Sequence, residues 1–164
     1  MKEALMKKFR NMLAEVREIP TEKIEIKEWV RMKCMYGCSF YGKSRSCPPY
    51  TPEIETCRKI ISEYNRALIL KFRTNERKIL EKLMLDIERF LFLSGYYKAF
   101  AFFVSPCSAC GVCTPEKCKQ PERARPTAEA FGIDLIGTAK KSGMKMDVFN
   151  SSKNFLPIGI VLVE

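Results

Sequence analysis

The sequence predicts an α/β or α+β fold, with one compact domain over residues 1–164. About four strands form a mixed sheet with helices packed on it, and two cysteine-rich loops leave it. The chain has 164 residues, the usual size of a single domain. Stretches with helical spacing of apolar residues alternate with short apolar runs typical of strands. Cysteines cluster with glycine and proline over residues 31–52 and 105–127, which predicts a loop at each place.

The first half of the chain is predicted as helix, strand, loop and helix. Apolar residues recur at helical spacing near the N-terminus: Leu5, Phe9, Met12, Leu13 and Val16. They predict an amphipathic helix over residues 3–18, within an N-terminal segment 1–20. The alternation from Ile24 to Val30 predicts a strand, and the first loop follows. Thr51-Pro52-Glu53 is a typical helix start, with proline at the first position, and this helix is expected to run to about Tyr64.

The second half begins with a buried strand, because residues 67–72 are almost all apolar. A helix ending near Gly95, a strand over 99–104 and the second loop follow. A helix over about 134–142 and a strand over 158–163 complete the chain. A strand–helix–strand unit is normally a parallel crossover. Both cysteine loops are therefore expected to follow strands, where open α/β sheets bind ligands.

Composition excludes several function classes. The chain has eight cysteines and no histidine, which removes Ser–His and Cys–His catalytic pairs and Cys₂His₂ zinc fingers. No apolar run approaches the ~18 residues of a membrane span, and no signal peptide is evident, so we expect a cytoplasmic protein without membrane contact. The net charge of +10 suggests nucleic acid, but thiolates that bind metal would offset part of it. We therefore expect no nucleic-acid partner.

The second loop carries the stronger metal-binding pattern. Its four cysteines are Cys107, Cys110, Cys113 and Cys118. Two successive x₂ spacings match the bacterial ferredoxin run, although the last spacing is one residue longer. Zinc sites instead use CxxC pairs that are separated by a longer gap. The pattern favours one [4Fe–4S] cluster, and zinc or free thiols or disulfides are the alternatives.

The first loop holds Cys34, Cys38 and Cys47, and Cys47 is followed by two prolines. Four cations and no acidic residue lie between Trp29 and Pro52, so we expect a lowered thiol pKa and metal ligation. Cys57 lies within the next predicted helix, on its apolar face. A core thiol is the first interpretation of Cys57, and a metal ligand is the second.

A Walker-like pattern, GxxxxGK[ST], occurs at residues 37–44. Phosphate binding at such a loop requires a helix that begins at the lysine and serine. Pro48 and Pro49 follow too closely for that helix to form. We therefore predict no nucleotide binding at this segment.

In combination, these motifs resemble a known family. Three motifs resemble those of the predicted metal-binding proteins grouped as domain of unknown function 2284. They are Cys34-x₃-Cys38-x₃-Gly42-x₄-Cys47-Pro48-Pro49-Tyr50, the second cysteine run with Pro121, and Arg125-Pro126-Thr127-x-Glu129-Ala130-x-Gly132-Ile133-Asp134. The resemblance runs from about residue 24 to the end. It implies cysteine-bound metal and an anaerobic setting, and Cys57 is less characteristic of the pattern. It implies no particular substrate.

Together these observations predict an iron–sulfur protein with one or two [4Fe–4S] clusters and a redox role. That role is electron transfer with a partner protein, or sulfur and thiol chemistry, and whether the protein is an enzyme stays open. The alternative is a structural zinc module that presents a basic surface to a protein or nucleic-acid partner. The last cysteine of a ferredoxin run serves the neighbouring cluster. We therefore expect the two loops to meet in one metal-binding region.

Overall fold

The structure is a computed structural model that describes residues 1–146 and 156–164. Its helices are α1 (Lys2–Lys8), α2 (Glu28–Gly37), α3 (Ile54–Ser62), α4 (Arg77–Leu93) and α5 (Leu135–Lys141). Its strands are β1 (Leu13–Pro20), β2 (Arg66–Phe72), β3 (Phe100–Ala101) and β4 (Ile158–Leu162). Short 3₁₀ turns lie at Thr21–Lys23, Pro121–Arg123 and Glu129–Phe131. The predicted α/β domain is confirmed.

The four strands form one sheet in the order β1-β2-β4-β3, and all three pairings are antiparallel. The expected mixed sheet is therefore wrong in this detail. Strands β2 and β3 do run in the same direction, because each is antiparallel to β4. However, β4 lies between them, so the predicted strand–helix–strand unit is a crossover between strands that are not neighbours.

Helices cover both faces of the sheet, and each face has its own apolar core. On one face, β2 contributes Leu68, Leu70 and Phe72, which pack with apolar residues of α1 and α4. On the other face, Ala67 and Ile69 pack with α3, α5 and the turn at 129–131. A strand that is buried on both faces is apolar at nearly every position, which explains the continuous run in β2.

The N-terminal helix is shorter than predicted, because residues 13–20 form strand β1. Leu13, Val16 and Ile19 are buried and spaced by three, as on a helix. Two features of β1 produce this spacing. The register shifts between Leu13 and Glu15. Val16 and Ile19 then face opposite cores, one on each side of the sheet.

The expected strand over residues 24–30 is also wrong. Only an isolated bridge between Ile26 and Ile133 is present, and α2 begins at Glu28 and continues to Gly37. Residues 31–37 of the predicted loop therefore belong to α2, and the rest of the loop follows a helix rather than a strand. The segment 28–36 contains neither glycine nor proline, and so nothing in it stops a helix.

The remaining elements lie near their predicted positions. Helices α3, α4 and α5 and strands β2 and β4 match within a few residues, and Gly95 and Gly143 follow their helices with positive φ values of 98° and 78°. Strand β3 pairs only at Phe100 and Ala101, although residues 99–104 were expected to form it. Among the described residues, no helix combines the length and the apolar character that crossing a membrane requires.

Candidate metal centre

The two cysteine loops meet, as the sequence predicts. The backbone N–H of Arg45 donates a hydrogen bond to Cys113 Sγ at 3.4 Å. The backbone N–H of Cys107 donates to Ser46 Oγ at 3.0 Å. Tyr50 adds a third link, because its hydroxyl donates to Glu116 at 2.9 Å. The segment from Arg45 to Tyr50 therefore lies directly against the second loop.

Cys34, Cys38 and Cys47, here called the first thiol group, line one pocket of about 350 Å³. Cys34 lies in the last turns of α2, and Cys38 follows the helix directly. Arg31 fixes the helix in place, because its Nη1 donates to Pro52 O at 3.0 Å and to Ala130 O at 2.8 Å. Helix packing thus brings Cys34 and Cys38 to the turn that carries Cys47.

The rest of the pocket wall is mostly apolar. It is formed by residues of α2, of the segment 104–106 and of the start of α5, including Trp29, Val30, Val104, Ile133, Leu135 and Ile136. Lys33, Glu129 and Asp134 are its charged members. A concave, largely apolar space of this volume with a few polar groups is typical of a small-molecule site.

Four further cysteines, here called the second thiol group, are Cys107, Cys110, Cys113 and Cys118, and all are half-buried. Glu81 of α4 supports the start of this loop by accepting hydrogen bonds from Ser108 N at 3.2 Å and Ser108 Oγ at 2.8 Å. Gln120 Nε2 donates to Cys110 Sγ at 3.6 Å. Such donors to sulfur favour the thiolate form, in which cysteine binds metal.

Ser46 lies between the two thiol groups and is 3% exposed. Its Oγ lies 2.8 Å from Ser44 Oγ and 3.8 Å from Cys47 Sγ, in addition to accepting from Cys107 N. Its carbonyl oxygen accepts from Thr127 N at 3.4 Å. One buried side chain therefore contacts both groups, which makes the two halves of the region a single structural unit.

Burial raises the pKa of Cys34, Cys47 and Cys107 above the ordinary thiol value. The sequence predicts the opposite for the first loop, because cations surround it. Arg31 does lower the pKa of Cys34, but this effect is smaller than burial and smaller than the repulsion from Cys38. The cation argument is therefore wrong for the metal-free chain, in which a metal ion must displace protons from these thiols.

Cys57 is separate from both groups. It is fully buried in α3 among core residues such as Ile61 and Ile133. Its Sγ donates to Pro52 O at 3.3 Å, and burial raises its pKa to about 11. The side chain thus has the surroundings of a core thiol.

The donor atoms fit a thiophilic metal group, since seven thiols lie in one region with hydrogen-bond donors directed at two of them. Within residues 1–146 and 156–164, however, no three cysteine, aspartate or glutamate side chains are already arranged to hold one ion. Binding would therefore require the thiols of each group to move closer together.

Sequence reasoning missed three contributors to the site: Ser46, Glu129 and Arg125. Glu129 opens onto the pocket, yet surrounding protein raises the pKa of its carboxyl group. Arg125 binds Glu88 of α4 through Nε at 3.0 Å and Nη2 at 2.6 Å. Both Arg125 and Glu129 belong to the third motif of the family resemblance, and that motif was the signal that could have identified them.

The Walker-like segment opens no helix. After Lys43 the chain makes a series of turns, and the next helix begins at Ile54. Gly42 has a φ of 70° and donates its N–H to Pro48 O at 2.9 Å. The segment thus folds back on the proline pair, and the absence of nucleotide binding stays a prediction.

Comparison with known proteins gives one match. The family described as predicted metal-binding protein, domain of unknown function 2284, matches residues 17–163. No curated protein and no solved structure matches the chain.

Proposed function

Because the chain belongs to this family of predicted metal-binding proteins, we propose that its two thiol groups bind iron–sulfur clusters of the [4Fe–4S] type. The observation that supports this proposal most is the meeting of the two loops, which gathers seven cysteines around the segment Arg45–Cys47. The proposed role is redox chemistry in the cytoplasm, either electron transfer with a partner protein or sulfur and thiol chemistry.

The second thiol group would hold a complete cluster. Its spacing supplies four thiolates from one loop. The Arg45 backbone N–H and the Gln120 amide already donate to Cys113 and Cys110. Hydrogen bonds to cluster sulfurs stabilise the reduced, more negative state and so tune the reduction potential. Arg45 and Gln120 are therefore the residues that we expect to set the potential.

The first thiol group would hold a metal group with three ligands, because Cys57 is bound within the core instead. Three protein ligands leave one coordination position open, as in catalytic metal sites. A bound cluster would supply electron transfer and Lewis acidity. The chain itself supplies a largely apolar pocket lined by the three thiols and by the buried side chains of Val30, Ile133 and Leu135.

Anaerobic purification with iron, acid-labile sulfide and zinc analysis tests the proposal. We expect a brown protein whose visible absorbance bleaches on reduction. Cys110→Ser should lose roughly half the iron if two clusters are present, and nearly all of it if there is one. Cys38→Ser tests the first thiol group in the same way.

Cys57→Ala is the matched control, because it removes a cysteine that lies outside both groups. Its iron content should equal that of the unmodified protein. Two results would contradict the proposal: unchanged iron in Cys110→Ser, or a colourless protein that contains zinc and no iron. The second result would favour the structural zinc module.

A further inference from the structure

The pocket beside the first thiol group has a soft side and an apolar side. The three thiols form the soft side. The apolar side includes Val30 and Ile133, which are buried, and Ile136 at the rim, which is 37% exposed. Apolar walls attract the apolar part of a ligand in proportion to the surface that they remove from water. The pocket is therefore suited to a molecule with a soft donor at one end and an apolar body.

The set of ligands on the soft side is incomplete. Among the described residues, Cys34, Cys38 and Cys47 are the cysteines that line this pocket. Cys118 instead lines a different pocket, together with Arg45 and Tyr50. A thiophilic group held here therefore has a position for a donor from outside the chain, and thiolate is the donor type that matches the other three.

The charged residues of the pocket argue against an anionic body. Lys33 is already placed over the Trp29 ring, with its Nζ 5.1 Å from the ring centroid. The Asp134 carboxylate caps α5 by accepting from Gly137 N at 2.9 Å. Glu129 also lines the pocket and offers no positive charge that would attract a carboxylate or phosphate on the ligand.

We propose that this pocket binds a small thiol with an uncharged apolar body, its sulfur directed at the first thiol group and its hydrocarbon part against Val30, Ile133 and Ile136. The proposal rests on the proposed function, because the preference for sulfur comes from a metal group bound by the three thiols. Coordination of the thiol as thiolate is the event inferred: the S–H proton passes to solvent, the sulfur binds the metal group, and no other bond of the ligand and no oxidation state changes.

Anaerobic calorimetry of the full chain with ethanethiol, butanethiol and hexanethiol tests the proposal. Affinity should increase about fourfold per methylene, as expected for hydrocarbon that leaves water. 1-Hexanol, which has the same chain length and no sulfur, should bind more weakly than hexanethiol. On the iron-loaded protein, hexanethiol should also shift the visible spectrum at the concentrations at which it releases heat.

Two variants locate the binding site. Ile136→Glu places a charge at the pocket rim and should lower the affinity for hexanethiol at least about tenfold. Ile79→Glu is the control, because Ile79 lies on α4 with a nearly equal exposure of 39% and does not line this pocket. It should bind hexanethiol like the unmodified protein.

Three results would overturn the inference: affinity that does not depend on chain length, equal affinity for hexanol and hexanethiol, or equal losses in the two variants. Iron and sulfide analysis of the same sample reports separately on the proposed function. An iron-loaded protein that binds no thiol therefore refutes the pocket inference alone, whereas a protein without metal refutes the proposed function.

Discussion

Replacing Arg125 with methionine should destabilise the fold, because Arg125 joins the second loop to α4 through a partly buried ion pair. Its side chain is 17% exposed, and that of its partner Glu88 is 15% exposed. Two parallel hydrogen bonds connect them, Nε to Oε2 at 3.0 Å and Nη2 to Oε1 at 2.6 Å. Glu88 Oε2 also accepts from Ala101 N at 2.7 Å, which connects the pair to β3.

The magnitude follows from what the substitution leaves behind. Each hydrogen bond to a charged group contributes about 1.5–3 kcal/mol. Removing one partner of a buried pair costs about 3–5 kcal/mol, since the other charge stays buried without its counterion. The pair is only partly buried and Glu88 keeps its hydrogen bond from Ala101, so we expect a value below this range, about 2 kcal/mol for Arg125→Met. Salt should change this loss little, because the pair is shielded from solvent.

Urea denaturation of the metal-free protein measures the effect, and Lys82→Met is the matched control. Lys82 pairs with Asp86 at 3.8 Å on the surface of α4, with exposures of 82% and 50%. Exposed pairs of this kind contribute about 0.5 kcal/mol or less. If Arg125→Met cost less than about 1 kcal/mol, or no more than Lys82→Met, the structural role given to the pair would be refuted.

Three further predictions concern the first loop and the core. Calorimetry should detect no ATP or GTP binding, because no helix begins at Lys43, and a micromolar affinity that disappears in Lys43→Ala would contradict this. Ser46→Ala should cost about 1–3 kcal/mol in urea denaturation, because it leaves the Cys107 N–H without its acceptor, whereas Ser62→Ala at the exposed last residue of α3 should cost at most about 0.5 kcal/mol. The pKa of Cys57 is raised from 9.0 to about 11, so the folded state holds this proton more tightly than the unfolded state. The resulting stabilisation is complete below pH 9 and is lost between pH 9 and 11. Metal-free Cys57→Ala should therefore lose less stability than the unmodified protein between pH 8 and 11, and equal losses would count against the shift.

The sequence predicts helix α4 and the doubly buried strand β2, and it fails at β1, where the buried residues have the spacing of a helix. Helix α4 has a single apolar stripe, and its predicted extent is close to the observed one. Strand β1 buries Val16 on one side of the sheet and Ile19 on the other. A spacing of three between buried residues is also typical of a helix. The strand could be distinguished from a helix only if the apolar layers on both faces of the sheet were known.

The cysteine pattern predicts the meeting of the loops, but it does not predict the pocket. Cys34 and Cys38 are close in sequence, so their proximity follows from local spacing. Ile133, Leu135 and Glu129 reach the same pocket from about 100 residues further along the chain. No local pattern encodes such a contact, because it depends on how α2, α5 and the turn at 129–131 pack together.

The order of the strands has a consequence for the order of events during synthesis. Strand β4 is the last described strand in the sequence, yet it occupies an inner position between β2 and β3. Until residues 158–162 have left the ribosome, β3 has no partner in the sheet, and the second loop lacks the anchored strand that precedes it. Contacts so distant in sequence form late in folding. We therefore expect the two loops to come together, and to accept metal, only after β4 has inserted.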